Sequence, residues 1–128
     1  MISREVSVGL RIETVSFDAV DPLALAGFWS QVLGWGHRID EDGDIWVEPS
    51  EDHPDHGSAR PLLFLGVPEA KTAKNRIHLD LVPDDQEAEV ERLEHLGATR
   101  PSIGQTGNES WVVLADPEGN EFCVLDEN

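Results

Sequence analysis

Six side chains in this sequence stand where they could do chemistry together. His78 and Asp80 lie two residues apart in R-I-H-L-D-L-V, and Glu121 and Cys123 two apart in E-F-C-V. Thr14 and Ser16 have the same spacing in I-E-T-V-S-F-D. In an extended chain this spacing puts both members of each pair on one face. An imidazole beside carboxylates can hydrogen-bond a ligand, move a proton or coordinate a metal ion. The competing reading of His78 is a half-buried ring bonded to Asp80 or to backbone. Cys123 has no basic neighbour in sequence to lower its pKa, which favours a small packing residue over a nucleophile.

Other candidates are weaker. His53 and His56, in D-H-P-D-H, are spaced as a pair, but Pro54 forbids the helix that gives such pairs their strength. A solvated loop is expected there, at most a cover over the cleft. His95 is expected on the surface. Lys71, Lys74 and Arg76 hold much of the sparse positive charge and could clasp a junction or pair with an anionic ligand group. The sequence has four tryptophans and no tyrosine. Trp29 fits a helical core stripe. Trp46 and Trp111 occupy equivalent strands, so both pack beneath sheets or both wall a cavity, and as cavity walls they predict a flat aromatic or conjugated ligand.

What positions these residues is a repeat. Residues 12–34 and 76–97 each read as an alternating strand, an acidic helix start, an amphipathic helix and a Leu-Gly stop. Thr14 falls against His78, and Trp46 in D-I-W-V against Trp111 in E-S-W-V. In the first half, Asp21-Pro22 opens a helix whose stripe is Leu25, Phe28, Trp29 and Val32, with Gly34 as its stop. Strands are expected at 35–40, 44–49 and 61–68, with E-D-G-D as a turn and 51–60 as a loop. In the second half a strand is expected over 76–82, and Asp84 with Glu87 resembles a capping box. A helix carrying Val90, Leu93 and Leu96 then ends at Gly97. Strands follow at 99–106, 110–115 and 121–126, the last two joined by D-P-E-G-N.

Each half thus reads βαβββ, an α+β plan in one domain over 1–128, with modules at about 10–68 and 75–127. Both first strands have one apolar and one polar face. The apolar face should pack on the helix, and two half-sheets curling together would line a central cleft with the polar ones. That places Thr14, Ser16, His78 and Asp80 in or near the cleft. Glu121, Cys123 and Leu125 join them, because Phe122 and Val124 suit the helix side.

The bulk numbers bound the function. Nine basic against 26 acidic residues give a net charge of −17, which repels nucleic acid and anionic membrane. No apolar run approaches the ~18 residues of a membrane span. A lone cysteine fits a reducing compartment, and the N-terminus lacks a secretory pattern, so a cytoplasmic protein is expected.

Two βαβββ modules, V-P-E-A-K-T-A-K-N-R-I-H-L-D-L at the start of the second, and W-V-V-L-A-D-P-E-G-N-E-F near the end resemble the vicinal oxygen chelate superfamily. It includes glyoxalase I, extradiol dioxygenases and bleomycin resistance proteins, and the closest likeness is to its glyoxalase-like branch. The resemblance implies a curved mixed sheet around a cleft, and a homodimer. It also implies a divalent metal ion as cofactor in metal-using members, with His78 and Glu121 at ligand positions. Thr14 stands where a His or Gln is usual, and the fourth position falls within Leu62, Leu63, Phe64 and Leu65, which offer no donor. An incomplete metal site favours binding of a small organic molecule at Thr14, Ser16, Asp80, Trp46, Trp111 and Cys123. The alternative is a metal-dependent lyase, isomerase or dioxygenase using His78 and Glu121, and Glu121 could also act as a general base without metal.

Overall fold

A computed structural model describes residues 9–126. In the first half β1 (Val15–Ala19) leads into α1 (Pro22–Leu33), then β2 (Gly36–Ile39), β3 (Ile45–Glu48) and β4 (Leu62–Gly66). The order across the sheet is β1-β4-β3-β2, with β1 parallel to β4 and the other pairs antiparallel. Asp21 caps α1 by accepting from the Ala24 N–H at 3.1 Å. Pro22 sits at the helix start, where its missing N–H costs nothing. Gly34 ends the helix in the left-handed conformation, φ 69°. Leu25, Phe28, Trp29 and Val32 are all buried, against a core that includes Ile45, Val47, Leu62 and Phe64.

The second half runs β5 (Asp80–Leu81), α2 (Gln86–Leu96), β6 (Val112–Ala115) and β7 (Glu121–Val124), in the order β5-β7-β6. β5 is parallel to β7, and β6 antiparallel to it. The α+β plan is therefore present, with the strands in two separate mixed sheets instead of one closed curve. No described helix is long and apolar enough to cross a membrane.

Three local expectations are corrected. The strand expected over 76–82 shrinks to Asp80–Leu81. Its ladder runs through Cys123 N–H to Leu79 O and Leu125 N–H to Leu81 O. The Glu121 carbonyl, which a longer ladder would use, accepts instead from Asn75 Nδ2 at 3.3 Å. The strand expected over 99–106 is reduced to one bridge between Thr99 and Ala115. Pro101 has no N–H to give, and Gly104 and Gly107 turn the chain at φ 99° and 91°. The cap of α2 is Asp85, which accepts from Ala88 N–H at 3.0 Å, so Asp84 and Glu87 form no capping box.

The halves share one hydrophobic core. Trp29 on α1 meets Phe122 on β7 edge-on, with ring centroids 4.9 Å apart. The D-P-E-G-N turn completes the joint. Glu118 accepts from the Val20 and Asp21 N–H groups, while buried Asp116 accepts from Trp29 Nε1 at 3.0 Å. At the far end of the joint, Arg92 on α2 donates to the Gln31 and Val32 carbonyls that end α1.

Candidate functional site

The edge strands β1 and β5 belong to different sheets, and a cavity of about 570 Å³ opens at the seam, lined by β1 and by the residues that lead into β5. Phe17, Trp29, Leu79 and Phe122 supply its apolar lining. Ser16, Lys71, Asn75, His78, Asn120 and Glu121 supply polar groups. A second cavity, of about 430 Å³, lies against β7 and includes Asp80, Cys123, Trp111 and Val113 in its lining. Asn75, His78, Glu121 and Phe122 line both, so His78 and Glu121 stand where the two spaces meet.

Glu121 is held hard. One carboxylate oxygen accepts from Lys71 Nζ at 3.1 Å, the other from the Asn75 backbone N–H at 2.9 Å. Burial pushes its pKa up, but the Asn75 and Lys71 hydrogen bonds outweigh this and hold it below the usual carboxylate range. A glutamate so placed is an anion that anchors the 71–75 segment to β7. It is poorly set to take a proton near neutrality.

His78, just before β5, lies with Nε2 3.2 Å from Asp80 Oδ1. Asp80 faces Cys123 across the parallel β5–β7 pair. Burial raises the pKa of the Cys123 thiol, and the adjacent Asp80, to which it is hydrogen-bonded, raises it further. That keeps the sulfur protonated and unreactive in the free chain.

The remaining candidates scatter. Ser16 lines the seam cavity, whereas half-buried Thr14 lines neither cavity. Trp111, 45% exposed, walls the second cavity. Its counterpart Trp46 lies elsewhere, donating to Asp40 at 2.8 Å beneath the Arg38 guanidinium. The two tryptophans therefore have different fates, against the expectation that they share one. His53 packs edge-on to Trp35, and Asp55 accepts from Trp35 Nε1, so the 51–60 loop is seated on the end of the first module. His95 is exposed, as expected of a surface residue.

A divalent metal in the arrangement implied by family resemblance does not fit these residues. Thr14 stands apart, Leu62 and Phe64 are buried in the core, and both Glu121 oxygens are already engaged. The sequence reading missed Asn75 as a partner of Glu121. D-P-E-G-N is the expected turn, and its Asp116 and Glu118 also accept from donors far along the chain. For Asn75 no short-range signal existed, because its partner is 46 residues away.

The comparisons agree with this architecture. A glyoxalase/bleomycin resistance/dioxygenase family enzyme from Burkholderia phytofirmans PsJN superposes with TM-score 0.64 at 20% identity, covering 88% of this chain and 94% of its own. TnmS3, an antibiotic binding protein from Streptomyces sp. CB03234, gives 0.59 at 17% identity over 97% and 100%. The fosfomycin resistance protein FosX from Listeria monocytogenes, solved with Mn(II) and a dihydroxypropylphosphonic acid, gives 0.65 at 11% identity over 100% and 93%. No curated protein matches the chain in sequence. Residues 14–125 match the family described as glyoxalase-like domain, nearly the whole length, and the chain belongs to that family.

Proposed function

We propose that this chain binds a small organic molecule, with an aromatic or conjugated part, in the cleft between its two halves. The observation that carries this is the seam cavity itself. Its volume of about 570 Å³ falls in the range of small-molecule sites, and an apolar floor meets convergent polar groups there. Ser16 on β1 and His78 just before β5 are the hydrogen-bonding partners. Trp111, Asp80 and Cys123 extend the site into the adjoining cavity. TnmS3, which shares this fold, is described as an antibiotic binding protein, and that supports the reading.

The rival is a divalent-metal lyase, isomerase or dioxygenase built on His78 and Glu121, by analogy with the Mn(II) of FosX. It requires Glu121 to leave Lys71 and Asn75, which counts against it. The test is titration with a panel of conjugated small molecules, followed by tryptophan fluorescence with and without EDTA. Saturable quenching at one equivalent, unchanged by EDTA, is expected. Quenching abolished by EDTA, or none across the panel, would sink the reading.

The same proposal includes a homodimer. Ile12, Ile77 and Val82 are 71%, 85% and 79% exposed on or beside the unpaired β1 and β5 edges, a liability for an isolated chain. Light scattering should give twice the mass of one chain, and a single-chain mass would refute this part.

A further inference from the structure

Although the donors implied by family resemblance do not assemble, another set does. His78, Asp80 and Cys123 each offer one donor atom, and the three atoms lie within 4.8 Å of one another. His78 Nε2 and Asp80 Oδ1 are 3.2 Å apart. Donors around a tetrahedral ion with bonds of about 2.0–2.3 Å sit about 3.3–3.8 Å apart, so a small contraction reaches that geometry. The backbone fixes the arrangement. Asp80 and Cys123 are register partners, the Cys123 N–H bonds the Leu79 carbonyl at 2.9 Å, and His78 precedes Asp80 by two residues.

We infer that His78, Asp80 and Cys123 form a binding site for a soft divalent cation of the zinc class, with a fourth position open to the cavity beside Trp111. The donor types choose the ion: imidazole with a thiolate suits zinc and its neighbours, while magnesium and calcium prefer oxygen alone. Burial graded across the site fits three protein ligands and one free position. Cys123 is buried, with the residue 8% exposed, whereas the His78 and Asp80 side chains are 47% and 50% exposed. On binding, the Cys123 S–H bond breaks, its proton goes to solvent, and a sulfur–metal bond forms. The other grouping, Asp40, Asp42 and Asp44, has no nitrogen or sulfur donor, and both Asp40 oxygens already accept hydrogen bonds.

This site shares His78, Asp80 and Cys123 with the organic-ligand reading, but its test reads cobalt uptake with no organic molecule present, so the two can fail separately. The probe is Co²⁺ added to full-length protein prepared without an affinity tag, with metal content measured in parallel. One equivalent should bind and give a near-ultraviolet thiolate-to-cobalt band with the visible bands of a four-coordinate ion. Cys123→Ser and Cys123→Ala should abolish the thiolate band, the second keeping the apolar packing if the first disturbs it. His78→Ala should weaken binding on the order of tenfold or more. Glu121→Gln should bind as the wild type does. No stoichiometric uptake, uptake without a thiolate band, or a band that survives both cysteine variants would overturn the inference. So would loss of binding in Glu121→Gln, which would restore the donor pair implied by family resemblance.

Discussion

The two halves use the same local device in different surroundings. In the first, the turn between β2 and β3 is organised by Asp40. One carboxylate oxygen accepts from the Asp42 and Asp44 N–H groups, the other from Trp46 Nε1. In the second, the turn between β6 and β7 is organised by Asp116, which accepts from the Glu118 and Asn120 N–H groups and from Trp29 Nε1. Each is an aspartate gathering two turn amides and one indole. The difference is where the indole comes from. Trp46 lies six residues away, half-buried on β3 of its own sheet, whereas Trp29 lies on α1 of the other half, inside the shared core. A side-chain turn motif becomes a joint between modules when its third donor is distant and water is excluded.

That contrast can be broken by one pair of substitutions. Asp116→Ala leaves a buried indole N–H and two turn amides without their acceptor, at a cost of about 3 kcal/mol. Asp40→Ala uncovers groups that water can reach, so its urea midpoint should move much less. Equal shifts in the two variants would mean that burial of the joint is not what separates them.

A second pair sharpens the contrast at the cleft. Trp46 is committed to Asp40 and Arg38 on the first sheet, while Trp111 stands beside the second cavity. If a conjugated ligand uses that wall, Trp111→Ala should weaken its binding by about 1 kcal/mol, roughly fivefold. Trp46→Ala should leave affinity unchanged. Fluorescence or calorimetric titration of both variants decides it, and an equal loss in both would remove the asymmetry between the halves.

The sequence carried the helices almost completely. Asp21-Pro22, the Leu25–Val32 stripe and Gly34 specify α1 through interactions within a few residues, and the structure has all of them. The tandem plan was legible for the same reason: periodicity and stop signals are local. What was not legible depends on partners far along the chain. Asn75 ends the β5 ladder by taking the Glu121 carbonyl, and Glu121 is withdrawn from free chemistry by Lys71, 50 residues away. The proximity of His78, Asp80 and Cys123 follows from the register of one short parallel pair, which no spacing in the sequence encodes. Pro101, Gly104 and Gly107 are local signals against the strand expected over 99–106.

That missing strand leaves the smallest expected effect. Where the first half has paired β2, the second has a loop held by its own side chains. Gln105 bonds Ile103 N–H and the Pro101 carbonyl, and the Glu109 carboxylate accepts from the Thr106 and Gly107 N–H groups and the Thr106 hydroxyl. These bonds, led by the Thr106 N–H, draw the Glu109 pKa from 4.5 down to about 2. A depressed folded-state pKa means the carboxylate's support for the loop is fully present above pH 4.5. It is lost as the pH falls towards about 2. The carboxyl carbon of Glu109, followed by NMR, should therefore titrate well below ordinary glutamates, and the Thr106 and Gly107 amides should lose protection over the same window. In Glu109→Gln that acid-dependent change should vanish. If Glu109 titrates near 4.5 instead, the carboxylate does not hold this loop. The wall of the Trp111 cavity would then need another source of order, because no strand ladder supplies it there as β2 does in the first half.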